Sequence, residues 1–124
     1  FKRVALAHPN IGFSMFHNDI ELFHLKQGNL RLRIVGIFGN NYNEKIVPVE
    51  EQTDIVNIYG FTGKPEFAKK TRGEQFFFVN NRFIRNNYLN HAVFNNYEEM
   101  IPSGSFPFFV LFIDINPAKI DINV

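Results

Sequence analysis

Apolar residues in the first 25 positions follow two successive patterns, that of a helix and that of a β-hairpin. The i, i+3, i+4 spacing of Phe1, Val4 and Ala5 indicates a helix, which Pro9 and Asn10 terminate. Residues 11–18 and 20–25 then alternate between apolar and polar on either side of Asp19. This alternation predicts two antiparallel strands joined by a turn at Asp19.

A second helix is predicted over residues 30–38. Arg31 and Arg33 are expected to point away from its apolar face, and Gly39 supplies the C-terminal stop. The residues that share the apolar face are Leu30, Ile34, Ile37 and Phe38.

The remainder of the chain reads as strands interrupted by one further helix. Asn86 caps that helix, and its buried face consists of Leu89, Ala92, Val93 and Tyr97. An Asn80-Asn81 turn joins two of the strands. The continuous apolar run 108–113 is typical of a central strand that is covered on both faces. The predicted strands are 46–49, 54–61, 75–79, 83–84, 108–113 and 120–124.

This succession of elements favours an α+β fold. A mixed sheet with helices packed on one face accounts best for strands that outnumber helices. The length of 124 residues predicts a single domain over residues 1–124. Since the chain begins with Phe1 and no signal-peptide pattern follows, we expect a fragment of a longer cytoplasmic protein.

Composition excludes several classes of site. The chain has no Cys, which removes disulfide scaffolds and cysteine nucleophiles, and its four His form no metal-ligating pair. Asp114 and Asp121 have no nucleophile motif near them, so we expect solvated strand ends and no catalytic residue. No apolar run reaches the roughly 20 residues that span a bilayer.

Charge is unevenly distributed in a chain whose formal net charge is only +1. The basic segment, residues 69–85, holds five basic residues against Glu74 alone. Such a surface suits contact with nucleic-acid phosphates, although solvated surface residues are an equally good interpretation of the pattern. Consecutive Phe76, Phe77 and Phe78 are predicted to lie in the core. The candidate DNA-binding residues are Lys69, Lys70, Arg72, Arg82 and Arg85.

Three stretches carry a resemblance to a known family. They are Leu6-Ala7-His8-Pro9, the aromatic strand and turn from Thr71 to Arg85 with its Val-Asn-x-Arg motif, and the tail from Lys119 to Val124. The whole chain, in this order, resembles the transducer domain of bacterial MutL-type DNA mismatch repair proteins. In that family, the transducer domain is the second domain of the ATP-binding N-terminal half of the protein, which belongs to the GHKL class of ATPases.

The resemblance implies both a fold and a function. The fold is the α+β sandwich of the ribosomal protein S-five domain-two-like type, with a left-handed βαβ crossover. The implied function is to couple ATP binding in the adjacent domain to dimerisation, DNA binding and activation of downstream repair factors. The fragment itself is expected not to be an enzyme, although the full-length protein resembles an ATPase and, through a C-terminal domain, an endonuclease.

The resemblance also implies cofactors and partners. ATP and magnesium belong to the full-length protein, and the expected ATP-contacting lysine follows Val124. The implied partners are a MutS-type recognition protein, duplex or single-stranded DNA, and a second copy of the protein, with no membrane, in the bacterial cytoplasm near the nucleoid. Asn87 stands where some members carry a basic DNA-contacting residue.

Two alternatives remain at this point. One is the transducer domain of another GHKL enzyme, such as a type II topoisomerase. The other is a stand-alone RNA-binding module of the ribosomal type.

Overall fold

The structure is a computed structural model. It describes residues 1–25, 27–54, 56–97, 100–101 and 104–115, without the side chains of residues 22–24, 88, 92, 94, 96 and 97. The described chain forms two compact units, which divide between Lys45 and Ile46.

The first unit combines a β-hairpin with three helices. Asn29 starts the second helix, because its side chain accepts a hydrogen bond from the Leu32 amide at 2.8 Å, and Gly39 ends that helix with a φ of 119°. The hairpin turns at Asn18 and Asp19, both at positive φ. The predicted turn at Asp19 is confirmed, while Asn18 belongs to the turn and not to the first strand. The elements are α1 (Lys2–Ala7), β1 (Phe13–His17), β2 (Ile20–Leu25), α2 (Leu30–Phe38) and α3 (Tyr42–Lys45).

Arg33 corrects one expectation about α2. It is buried beside Ile34 and Ile37, although the sequence predicts that it points away from the apolar face. Its guanidinium donates hydrogen bonds to the carbonyl oxygens of Pro9 and Ile11. These backbone acceptors offset part of the cost of desolvating a charged group. No pattern of apolar residues reveals such acceptors. Desolvation lowers the pKa of Arg33 from its ordinary value.

The second unit is a five-stranded mixed sheet with one long helix. The strand order is β3-β4-β7-β5-β6, in which only the β5–β7 pair is parallel. A short 3-10 helix, Pro65–Phe67, follows β4. The other elements are β3 (Ile46–Gln52), β4 (Val56–Gly63), β5 (Gln75–Val79), β6 (Arg82–Ile84), α4 (Asn87–Tyr97) and β7 (Phe109–Ile115).

One face of this sheet packs against α4. Phe77, Phe109 and Leu111 form a buried cluster, and Leu89 and Val93 of α4 pack on it. Their positions on α4 confirm part of the predicted buried face; the side chains of Ala92 and Tyr97 lie outside those described. The helix is therefore held to the sheet by the apolar stripe that the sequence predicts.

The opposite face carries a row of aromatic rings across four strands. Tyr59, Phe112, Phe78 and Phe83 are neighbours in the strand register, on β4, β7, β5 and β6 respectively. Ring centroids along the row are 5.1, 4.7 and 5.9 Å apart. Stacked and edge-to-face ring pairs at these distances stabilise a sheet by more than the burial of their apolar surface alone would. Burial, with the charge of Asp114 adding to it, raises the pKa of Tyr59.

The turn between β5 and β6 fixes the end of the central strand. Asn80 and Asn81 have φ values of 48° and 65°, which is the two-residue hairpin geometry that Asn tolerates. The Asn80 amide donates to the Ile113 carbonyl, and its side-chain oxygen accepts from the Ile115 amide, each at 2.9 Å. Asn80 thus extends the parallel ladder between β5 and β7 by one residue.

Replacing Asn80 by Ala should lower the free energy of unfolding more than replacing Asn81 by Ala. Both changes place Ala at positive φ, but only Asn80→Ala removes the bond to the Ile115 amide. The difference between the two variants should be about 1 kcal/mol, the usual net contribution of one hydrogen bond. Urea unfolding of both variants measures it; equal losses would show that the Ile115 amide finds another acceptor.

The α+β mixed sheet predicted from the sequence is confirmed. β7 lies in the middle of the sheet and its residues 109–112 are buried, as expected of a strand covered on both faces. The predicted strand 120–124 lies outside the described residues. The left-handed crossover stays a prediction.

Candidate nucleic-acid interface

The basic segment folds back on itself through the β5–β6 hairpin. Phe77 pairs with Ile84 and Val79 with Arg82, so Arg82 lies at the turn. Arg85 follows β6 and comes back toward the end of β5 at which Gln75 begins the strand. The structure therefore brings Arg85, but not Arg82, to the same end of β5 as the loop that carries Lys69, Lys70 and Arg72.

That loop, residues 68–74, is tied to the segment that precedes β7. The Lys69 amide donates to the Phe106 carbonyl at 3.0 Å, and the Phe106 amide donates back at 2.6 Å. The Lys69 ammonium lies 3.0 Å from a carboxylate oxygen of Glu74. Because Glu74 compensates the charge of Lys69 within the loop, this lysine is less available to an external anion than an unpaired lysine would be.

Arg72 is held over an aromatic ring. Its guanidinium carbon lies 4.9 Å from the centroid of the Phe106 ring, within the range of a cation–π interaction. Beside it, the Gln75 side chain donates to the Pro107 carbonyl at 2.7 Å and accepts from the Gly73 amide at 3.1 Å. Gln75 and Lys69 thus both join the loop to the segment that precedes β7. These hydrogen bonds fix the backbone on either side of Arg72.

The other three predicted DNA-binding residues are exposed and uncommitted. The side chains of Lys70, Arg82 and Arg85 make no hydrogen bond or ion pair within the part of the chain that the structure describes. Their charges are consequently available to a partner. Lys70 lies on the loop, Arg82 at the hairpin turn and Arg85 just before α4.

A cavity of about 220 Å³ opens between the loop and the first half of α4. Asn86 starts this helix by accepting a hydrogen bond from the Leu89 amide at 3.2 Å, as the sequence predicts. Asn87 is then the first residue of α4 and faces the cavity. The lining residues are Arg72, Gln75, Asn87, Asn90, His91 and Phe106.

Across residues 1–25, 27–54, 56–97, 100–101 and 104–115, no three His, Asp or Glu side chains come together as ligands. Asp121, the other member of the acid pair considered from the sequence, lies outside the described residues. In the same ranges, no helix is both long and apolar enough to cross a membrane.

Comparison with known proteins connects this geometry to a family. The family model described as "DNA mismatch repair protein, C-terminal domain" matches residues 34–124. The chain belongs to the MutL-type DNA mismatch repair family. It is 57% identical over its full length to the DNA mismatch repair protein MutL of Flavobacterium psychrophilum, and 58% identical to that of Christiangramia forsetii. It spans about a fifth of the length of these MutL relatives.

Solved MutL structures share the fold. The Aquifex aeolicus MutL ATPase domain complexed with ADP matches with a TM-score of 0.67 at 21% identity, over 94% of this chain and 40% of that one. A second crystal structure of the Aquifex aeolicus MutL ATPase domain, described as from a mismatch repair endonuclease, gives a TM-score of 0.67 at 15% identity. That match covers 99% of this chain and 42% of the other.

Membership of the MutL family confirms the resemblance seen in the sequence and replaces both alternatives. Neither a topoisomerase transducer nor a stand-alone RNA-binding module has to be considered further. The cavity, by contrast, was not foreseen. Gln75, Asn90 and His91 carry no spacing signal, and they meet only because the loop 68–74 is tied back to Phe106 and Pro107.

Proposed function

We propose that this chain is the transducer and DNA-contacting part of a MutL protein, and that it carries no catalytic residue of its own. The observation that supports the proposal best is the hairpin of β5 and β6. It combines a buried aromatic strand and a tight Asn-Asn turn with two exposed arginines, Arg82 at the start of the edge strand β6 and Arg85 directly after its end. A rigid strand pair with free cations at its edge positions charge against a phosphate backbone without sequence reading.

The exposed cations set the strength of the expected contact. Arg82 and Arg85 are separated by three residues, or about 10 Å in an extended chain, so one DNA strand reaches both. Each phosphate neutralised by a side chain contributes about 0.9 to the dependence of binding on salt. With Lys70 as the third free cation, binding is weak, independent of sequence and strongly reduced by salt.

The nucleotide that we propose for the whole protein does not fit the described part of this chain. The cavity beside Arg72 has about 220 Å³, below the roughly 300–1,000 Å³ of small-molecule pockets, and a single guanidinium faces it. In the proposal, ATP and magnesium both bind in the adjacent ATPase domain, and a lysine after Val124 contacts the nucleotide.

The partners proposed for the whole protein follow from the family. They are a MutS-type recognition protein, DNA, and a second copy of the protein, in the bacterial cytoplasm. ATP binding in the adjacent domain would then change the position of this chain relative to that domain. The exposed residues Lys70, Arg82 and Arg85 would move with it. Endonuclease activity, where the protein has it, would come from a different domain.

Removing the two arginines of the hairpin tests the DNA contact. In the protein as it is encoded, Arg82→Gln with Arg85→Gln should weaken binding of a fluorescein-labelled 30-base-pair duplex about tenfold at low salt. The slope of log affinity against log salt concentration should fall in magnitude by about two, one for each phosphate lost. Fluorescence anisotropy over a series of salt concentrations measures both quantities, with several duplex sequences to show that the loss is uniform.

The control is Lys64→Gln, which removes a cation of the same structural unit outside the basic segment. It should leave both the affinity and the slope within error of the unchanged protein. A double variant that keeps the original salt slope would show that these arginines do not meet phosphates, and would contradict the proposed DNA contact.

A further inference from the structure

The cavity between loop 68–74 and α4 has polar walls, and the hydrogen-bonding side chains that α4 contributes to them are unused. The side chains of Asn87, Asn90 and His91 make no hydrogen bond among the described residues, although Asn90 is half-buried. A half-buried amide without a protein partner meets water or a ligand. Three such groups on one helix, all turned toward one cavity, make a built surface for hydrogen bonding.

The chemistry of the lining distinguishes among ligands. A phosphate pocket would concentrate cations, but Arg72 is the one cation that lines this cavity, and its guanidinium already lies over the Phe106 ring. Carboxamides offer a donor and an acceptor side by side, which matches the edge of a nucleobase. Aromatic rings and guanidinium planes are the surfaces on which unpaired bases stack.

Size and position agree with this ligand. The cavity volume of about 220 Å³ lies below the roughly 300–1,000 Å³ of pockets that hold drug-sized ligands. It therefore suits a single base better than a whole nucleotide. Lys70 and Arg85 are exposed on the two segments that flank the cavity, one in the loop and one just before α4. A strand whose phosphates lie along these two cations passes over the opening.

We infer that the cavity lined by Arg72, Asn90 and His91 takes one unpaired base of a DNA strand whose phosphates lie on Lys70 and Arg85. Asn87 and Asn90 meet the hydrogen-bonding edge of the base, and Arg72 with Phe106 supplies the stacking surface. Paired bases are excluded, because a duplex must first extrude a nucleotide at a cost of a few kcal/mol. The inference rests on the proposed DNA contact and extends it from the phosphate backbone to unpaired bases.

A strand without bases separates this inference from phosphate contact. The probes are fluorescein-labelled dT20 and the same strand with all twenty nucleotides replaced by abasic residues, which keeps every phosphate. The protein as it is encoded should bind dT20 about tenfold more tightly, in line with the usual contribution of one stacked base. Asn90→Ala and, separately, His91→Ala should reduce that preference to threefold or less, with the salt slope unchanged.

Asn95→Ala is the matched control, because Asn95 is an exposed Asn on α4 that does not line the cavity. It should keep the full preference for dT20. Circular dichroism establishes that each variant is folded; Ala has a higher helix propensity than either residue that it replaces. His91 is exposed, so His91→Ala keeps the test valid if Asn90→Ala unfolds the helix.

Equal binding of the two strands by the unchanged protein would overturn the inference and leave the proposed phosphate contact standing. A preference that survives in both Asn90→Ala and His91→Ala would place the base elsewhere, and would overturn it too. Failure of the proposed function has a different signature. In that case, neither duplex nor single strand binds in a salt-dependent manner, and Arg82→Gln with Arg85→Gln changes nothing.

Discussion

Substituting Ala for Gly60 should prevent stable folding of the second unit, with a loss of about 4 kcal/mol. Gly60 lies in the middle of β4 with a φ of 147°, a conformation that side chains rarely adopt. A Cβ built at this position overlaps the carbonyl oxygen of Val110 on β7. Backbone strain of about 1–3 kcal/mol and overpacking of a similar size act together, and the obstacle is backbone, which cannot rotate away.

Gly73→Ala separates these two contributions. Gly73 also has a positive φ, 124°, but no atom lies within 4 Å of a Cβ built there. Gly73→Ala should therefore lower the free energy of unfolding by only about 1 kcal/mol, because only the backbone conformation is strained. Hydrogen exchange at the amides of β4 and β7 during urea unfolding measures both variants. Equal losses would show that β4 and β7 separate easily to admit a methyl group.

Replacing Phe78 by Ala should produce the second large loss, about 3–5 kcal/mol. Phe78 is 1% exposed and occupies the centre of the aromatic row, with its ring 4.7 Å from Phe112 and 5.9 Å from Phe83. Removal of a buried Phe leaves a cavity whose walls lose their contacts. Hydrogen exchange at the β5 and β7 amides measures the change directly.

The control for this substitution is Phe67→Ala, in the 3-10 helix after β4. Phe67 is 39% exposed, so it should lose less than about 1 kcal/mol. A loss at Phe78 no larger than at Phe67 would mean that the sheet collapses around the missing ring. It would also mean that the row of rings contributes little to stability.

The sequence predicts the sheet well because its signals are local. The strand 75–79 has the bounds that its pattern predicts, and so does the Asn80-Asn81 turn, since Asn tolerates the positive φ that a two-residue hairpin requires. The Asn86 cap and the apolar stripe with Leu89 and Val93 are equally local. Each depends on residues within one turn or one pleat, so a single sequence contains the whole signal.

What the sequence does not predict depends on residues that are distant along the chain. The strand predicted to end at Phe61 continues to Gly63, because Gly60 admits the close approach of β7 that a larger residue would block. Helix α3, four residues long, has no pattern of its own; buried Tyr42 stacks on Phe38 with centroids 5.4 Å apart. The predicted strand 46–49 extends to Gln52 through pairing with Asn57.

The candidate site divides in the same way. The five basic residues are visible in the sequence as a charge cluster, yet the sequence cannot rank them. The ion pair between Lys69 and Glu74 depends on how the loop folds, and the stacking of Arg72 on Phe106 joins residues 34 positions apart. Lys70, Arg82 and Arg85 then stand out as the free cations, and the cavity follows from the same loop closure.

The strand order has a consequence for how the chain acquires its structure. β3 with β4, and β5 with β6, are pairs of neighbours in sequence, and each can form as soon as it is synthesised. β7 joins the two pairs by inserting between β4 and β5, so the five-stranded sheet cannot exist before the ribosome has released residues 109–115. Until then two separate hairpins expose Tyr59, Phe77 and Phe78 to other nascent chains. Completion of the sheet therefore waits for a single strand, whose pairing partners precede it by 34 residues on β5 and by 47–59 residues on β4.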